Sequence, residues 1–486
     1  MRLRSWRPSW VHLPPEIRIM ILKIVADQKH PGWASLASVC KEWQDVLEKI
    51  NFRKLSLQVS CLDDFALLSP QTRELVRHIY FCIELPRYTY RCCSKRRSRL
   101  VDINSIVTNA VRKLFSILSM WEPAGNLALE LNVYSPSDCE HWFKNIYLSS
   151  DNVDQEGDAT PAAWIKIPDL DLFHGWASGQ QLHPPPDYAV QRLFKPIRLD
   201  LRESSPQVKA VTRLIIRRQL RRCICVKSFA RMFRKLNHLE QISYEPWSPY
   251  HDPNRDGDNR VFAFGMSTLP DTLNSLIIFQ DSYRFYTRFP RRTPPSPWFN
   301  PDDPDESDPV FASNSLKLQH LSISFMITAE DFFRHCESTW TWSRLQSLAL
   351  TSKLLRHETE HRHTITFLLR RAGKVAQQMP MMHTFVLWNC ERRHACAFIY
   401  RVERGTASLT WRGTWDLKLP PPVVESWQPV ASMRNMHCSE IQLKRDHIKA
   451  AINCPGDAIF HLKLPCQVIE PASLWQIRRE GPTKWW

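Results

Sequence analysis

Apolar residues recur along this chain in two distinct rhythms, and the change between them falls near residue 50. Before it, Ile17, Met20, Ile21 and Ile24 follow one another at i, i+3, i+4 and i+7, which predicts an amphipathic helix. Pro15 suits its first position, and Glu16 the positive end of its dipole. Ile19, Leu22 and Val25 widen the apolar stripe, so the helix is expected to be buried on two sides. After a break at His30-Pro31-Gly32, a second helix is expected to carry Leu36, Val39, Cys40, Trp43 and Leu47. Two such helices are too short for a self-sufficient core and need something to dock on.

Beyond residue 50 the rhythm becomes apolar-x-x-apolar-x-apolar. It occurs as Phe52-x-x-Leu55-x-Leu57, Val76-x-x-Ile79-x-Phe81, Val211-x-x-Leu214-x-Ile216 and Leu239-x-x-Ile242-x-Tyr244. It returns as Leu273-x-x-Leu276-x-Ile278, Leu318-x-x-Leu321-x-Ile323, Leu345-x-x-Leu348-x-Leu350 and Met382-x-x-Phe385-x-Leu387, with 127–131 (LALEL) as a degenerate copy. Each phrase predicts a short strand with alternate residues inward, and stacked copies bury a core that none could bury alone. Helical patterns lie between copies at 107–121, 228–236, 329–336 and 366–379. A parallel α/β sheet without a true repeat accounts for the same pattern. Polar, proline-rich stretches at 149–162, 248–260 and 288–309 are expected to be surface loops. Near the end, 397–400 and 407–411 alternate like an antiparallel hairpin turning at Arg404-Gly405, and 458–462 predicts a further strand of a small β cap.

The residues of the first stretch carry a resemblance. Leu13-Pro14-x-Glu16-Ile17, then Ile21-Leu22, then Leu36-x-x-Val39-Cys40-Lys41-x-Trp43 closely resembles the F-box, a helical adaptor that docks on the Skp1 subunit of cullin-RING ubiquitin ligases. The resemblance implies that Leu13, Pro14, Glu16, Ile17, Ile21, Leu22, Val39, Cys40 and Trp43 contact Skp1 or hold the two helices together. The strand–helix units that follow resemble irregular leucine-rich repeats, and the combination is similar to fungal F-box proteins. An α/β chain is therefore expected: a flexible lead-in (1–12), an F-box (13–50), a leucine-rich-repeat-like solenoid recognising a protein substrate (51–390), and a β-containing cap and tail (391–486). An ordinary helical hairpin docked on the following domain is the competing account of residues 13–50.

Composition narrows the chemistry. The 486 residues are 43% hydrophobic and 23% charged, which is globular rather than disordered. Only 12 glycines and no phosphate-cradling glycine motif argue against nucleotide binding, so no cofactor is expected. The 14 cysteines lack paired zinc spacing, and with no signal-peptide-like start or membrane-length apolar run they imply a reducing, cytoplasmic or nuclear setting away from membranes. His361-x-His363 has charged neighbours and reads as a solvated turn. Cys390, His394 and Cys396 lack a fourth ligand, so no metal is expected. No catalytic motif stands out, and an enzyme is not expected.

The formal charge of +16 raises a second hypothesis, a basic surface for nucleic acid or an acidic protein. Its candidate residues are Lys95, Arg96, Arg97 and Arg99, which also suit a nuclear-import patch, and Arg217, Arg218, Arg221 and Arg222 within RLIIRRQLRR. A solvated basic face is the simpler account of both runs.

Overall fold

Every apolar phrase becomes a strand of one sheet in the computed structural model. The structure describes residues 10–28, 30, 32–89, 102–146, 170–247, 269–281, 308–357, 362–391, 393–434 and 441–480. The first strands are β1 (Lys54–Gln58), β2 (His78–Glu84) and β3 (Leu127–Tyr134). A separate three-stranded sheet follows from β4 (Leu170–Asp171), β5 (Trp176–Ala177) and β6 (Gln180–Gln181). The main sheet resumes with β7 (Val211–Ile216), β8 (Gln241–Tyr244), β9 (Ser275–Phe279), β10 (His320–Ser324), β11 (Ser347–Thr351) and β12 (Thr384–Glu391). These are parallel, and each lies beside the one before it in the chain.

Register shows why the pattern was readable. The middle apolar residue of every phrase lies in one row across the sheet: Leu55, Ile79, Leu129, Leu214, Ile242, Leu276, Leu321, Leu348 and Phe385. A one-residue slip would turn a strand's apolar set to the opposite face, so the row is strongly specified. Only between β3 and β7 does the register shift, at Leu127/Ala128. Helices Ile103–Leu118, Val226–Lys235, Ala329–Arg334 and Arg362–Ala376 contribute to the same core as these strands, as a parallel sheet's crossovers require. The four predicted helices are therefore present, each with shifted ends.

The sheet continues with β13 (His394–Glu403) and β14 (Thr406–Gly413), antiparallel as the alternation predicts. The two-residue turn holds Arg404 at φ 48° and Gly405 at φ 80°, the left-handed pair that such a hairpin needs. Strand β15 (Gln442–His447) then pairs parallel with β14. The strand expected at 458–462 is instead a helix, Pro455–Leu462. Cys454 is extended before it and Pro455 takes a first-turn position, while Ala458, Ile459 and Leu462 are buried at helical spacing.

That helix and Pro471–Glu480 return over the sheet's other face. There Ile452, Ala458, Ile459, Leu462, Val468, Ile469 and Ile477 pack with Phe279, Ala349, Val386, Trp388 and Ile399. Among the described residues, crossover helices cover one face and the chain's own C-terminal segment covers part of the other.

Helix Arg362–Ala376 packs closely on helix Pro421–Arg434 at Gly373. A Cβ there would meet Ser426 Oγ at 2.6 Å and its carbonyl oxygen at 3.0 Å. Gly373→Ala is therefore expected to destabilise the protein by about 1–3 kcal/mol, outweighing the roughly 1 kcal/mol that alanine gains in a helix. Denaturant melts check this, and an unchanged or raised midpoint would contradict the packing.

Candidate functional site: an uncovered apolar helix face

The two N-terminal helices are α1 (Pro15–Asp27) and α2 (Lys41–Asn51). A 3₁₀ helix, Trp33–Ser38, lies between them, and Cys40 is extended at φ −162°. The single second helix expected from Leu36 to Leu47 is therefore broken at Val39-Cys40, two residues of low helix propensity, with Cys40 as the entry to α2. Leu22, Ala26 and Leu47 form a small core with Trp10, Trp33, Leu36, Trp43, Val46 and Ile50. This cluster is distinct from the sheet's core. Polar contacts fasten its rim: Trp10 Nε1 donates to Glu42 Oε2 at 3.2 Å, and Arg18 Nε lies 3.2 Å from Glu42 Oε1. The Trp10 and Trp43 rings are 5.4 Å apart.

Among the described residues, only one side of α1 is covered, contrary to the expectation of burial on two. Leu22 and Ala26 face the core, while Ile17, Met20 and Ile24 stay 40%, 55% and 51% exposed, with Val39 at 59%. Their i, i+3, i+7 spacing makes the first three one stripe. An apolar residue exposed singly is ordinary, whereas a contiguous apolar strip marks an interaction surface. Of the residues singled out by the resemblance, Pro14, Glu16, Ile17, Val39 and Cys40 are exposed; Leu13, Ile21 and Trp43 are partly buried. Leu22 is fully buried and belongs to the internal core. Met20 and Ile24 are the additions: their periodicity was visible, but it read as core.

The arginines at 213–222 do not form a basic surface. Arg217, Arg218, Arg221 and Arg222 are all buried. Arg217 pairs with Glu130, Arg218 with Asp281 and Glu480, Arg221 with Glu480, and Arg222 with both oxygens of Asp138 at 2.7 and 2.9 Å. Buried charges persist only when compensated in this way. Burial works against ionisation of Glu130, but Arg217 and His78 outweigh it and hold the carboxyl at about 2. Glu245 goes the other way. Burial pushes it up to about 7 with Glu470 close by, although it accepts from the Ser473 hydroxyl and the backbone N–H groups of Arg218 and Glu470. The second basic run, with Lys95, Arg96, Arg97 and Arg99, lies outside the described residues, as does His361; His363 is exposed on its helix.

Cys390 and Cys396 sit on β12 and β13 with side chains on opposite faces, one beside the C-terminal segment and one in the main core, so they do not converge on a metal. Burial raises both thiols well above their usual range. Among the described residues, no group of three or more His, Cys, Asp or Glu side chains is placed to hold a metal ion, and no helix is long and apolar enough to cross a membrane.

A family of unknown function, DUF6546, matches residues 268–470, the stretch from just before β9 to the start of the last helix. No curated protein matches the chain.

Proposed function

We propose that this chain is a substrate-recognition adaptor of a Skp1-cullin-F-box ubiquitin ligase, with residues 13–50 docking on Skp1. The observation that carries the reading is the exposed apolar strip Ile17, Met20 and Ile24, with Val39 exposed as well, on a helical unit that fills its own small core. Such a strip is costly to leave in water, and a partner that covers it gains roughly 25 cal/mol per Å² of apolar surface removed. The F-box resemblance at the neighbouring Leu13, Pro14, Glu16 and Cys40 supports Skp1 as that partner. In this reading Leu22 and Trp43, which pack in the unit's own core, hold it together, while the exposed Pro14, Glu16, Ile17, Val39 and Cys40 meet the partner.

The sheet domain, read as an irregular leucine-rich-repeat-like array, then positions a protein client for ubiquitin transfer. It supplies proximity while other subunits supply the chemistry. This work belongs in the cytoplasm or nucleus and requires no cofactor or catalytic residue of this chain. The nucleic-acid alternative loses its main support, because the arginines of 217–222 are engaged by carboxylates inside the protein.

Leu13→Ala combined with Pro14→Ala is expected to reduce co-purification with Skp1 by more than about tenfold, since both flank the entry to α1 and neither is fully buried. Undiminished capture by the double variant would overturn the placement of Skp1 on this edge.

A further inference from the structure

The C-terminal segment is fastened to the sheet by two different kinds of contact. Helix Pro455–Leu462 is held by apolar side chains, with Ala458, Ile459 and Leu462 buried against the sheet. Helix Pro471–Glu480 buries one large apolar residue, Ile477, along with Ser473 and Gln476. Its hold on the β7 side is polar, while Arg478 ties it to the preceding helix by lying over the Phe460 ring and pairing with Asp457. At its start, Glu470 Oε1 accepts from Arg213 Nη2 at 2.6 Å, and its backbone N–H donates to Glu245 at 2.7 Å. At its end, the two carboxylate oxygens of Glu480 divide between Arg221 Nη2 at 2.6 Å and Arg218 Nη2 at 2.8 Å.

The receiving surface is built. Arg218 and Arg221 stand over the Trp247 ring, their guanidinium carbons 5.0 and 4.4 Å from its centroid. Trp247 is itself 1% exposed, fixed by its Nε1 donating to the Arg218 carbonyl at 2.6 Å. Two planar guanidinium groups braced on an aromatic face suit a carboxylate, and the bracing lowers the entropy lost on binding. The arginines come from β7 and the loop after it, whereas both glutamates come from the far end of the chain. The DUF6546 match also stops at residue 470, where this helix begins.

We propose that Arg213, together with Arg218 and Arg221 braced on Trp247, forms a docking site for an acidic helical segment of a partner protein, which the chain's own helix Pro471–Glu480 holds closed. The helix occupies the site as a tethered stand-in, and an incoming segment competes by presenting carboxylates at matching spacing. Glu245 adds a pH bias to that competition. It is buried beside Glu470 and accepts from the backbone N–H groups of Arg218 and Glu470, and its ionisation sets negative charge against Glu470. The proposal rests on the adaptor reading only in calling the partner a client; the site itself does not depend on Skp1.

The test has two arms on the intact chain, neither containing Skp1. In hydrogen exchange, amides of Pro471–Glu480 are expected to exchange at least about tenfold faster than those of Pro455–Leu462, because polar anchoring opens locally. Common exchange of the two helices would overturn the proposal. In the second arm, a labelled peptide of residues 468–480 is titrated onto the chain. Binding is expected to strengthen about tenfold when the chain carries Glu480→Gln, which loosens its own helix, and to weaken about tenfold when the peptide carries that change. Absent binding, or binding indifferent to Glu480 in both molecules, would overturn it. The exchange arm uses the unaltered chain, so it stands even if the variant folds poorly.

Discussion

Replacing Arg222 with methionine is expected to cost about 3–5 kcal/mol of stability, among the largest effects of any single change in this chain. The guanidinium meets both oxygens of Asp138 inside the protein, with side chains 2% and 0% exposed. Asp138 also accepts from the Ser135 backbone N–H at 2.9 Å and the Tyr88 hydroxyl at 3.0 Å, so it is fixed and cannot turn toward water when its partner leaves. Methionine fills much of the volume but leaves a buried, uncompensated carboxylate. Adding Asp138→Asn removes that charge while keeping an acceptor for the Ser135 N–H, and should restore more than half of the loss. Chemical denaturation of the two single variants and the double gives the coupling directly. A loss below about 1 kcal/mol for Arg222→Met would show that these charges reach water and are not an internal pair.

The second large effect is on binding. Met20→Asp with Ile24→Asp should lower affinity for Skp1 by at least about a hundredfold while leaving the melting midpoint within a degree or two. Both residues lie on the open side of α1, so the small core of Leu22, Ala26 and Leu47 is untouched. In the complex each substitution forfeits apolar burial and also places a charge against an apolar surface; about 3 kcal/mol in total is a hundredfold. By contrast, Leu22→Asp should unfold the helical pair itself, which separates residues that meet a partner from residues that build the unit. Wild-type affinity in the Met20→Asp, Ile24→Asp chain would remove this strip from the interface.

The sheet was legible because its signal is local. Each phrase carries its own inward set, and Leu127-Ala128-Leu129-Glu130-Leu131, the most degenerate copy, still pairs as β3, in register with β2 and, past the shift at Leu127/Ala128, with β7. The hairpin at Arg404-Gly405 was legible for the same reason. The run at 458–462 misled because five mostly apolar residues fit a buried strand or a buried helix equally well, and the proline at 455 was the deciding sign. The arginines misled for a different reason. RLIIRRQLRR exposes its charge in the sequence, but the answering carboxylates, Asp138, Asp281 and Glu480, lie 84, 63 and 259 residues away. No local pattern contains such a pairing. For the candidate site, the apolar stripe of α1 was readable but its orientation was not, because a helix apolar around most of its girth does not say which side its own chain covers.

The strip on α1 therefore carries the central claim, and hydrogen exchange of the intact chain with and without purified Skp1 tests it most directly. The account predicts a saturable complex with a Kd below about 1 µM, with new protection concentrated at residues 13–27 and 39–43 and little change in β7–β12. Absence of binding at tens of micromolar, or protection that appears on the sheet and not on these helices, would contradict it.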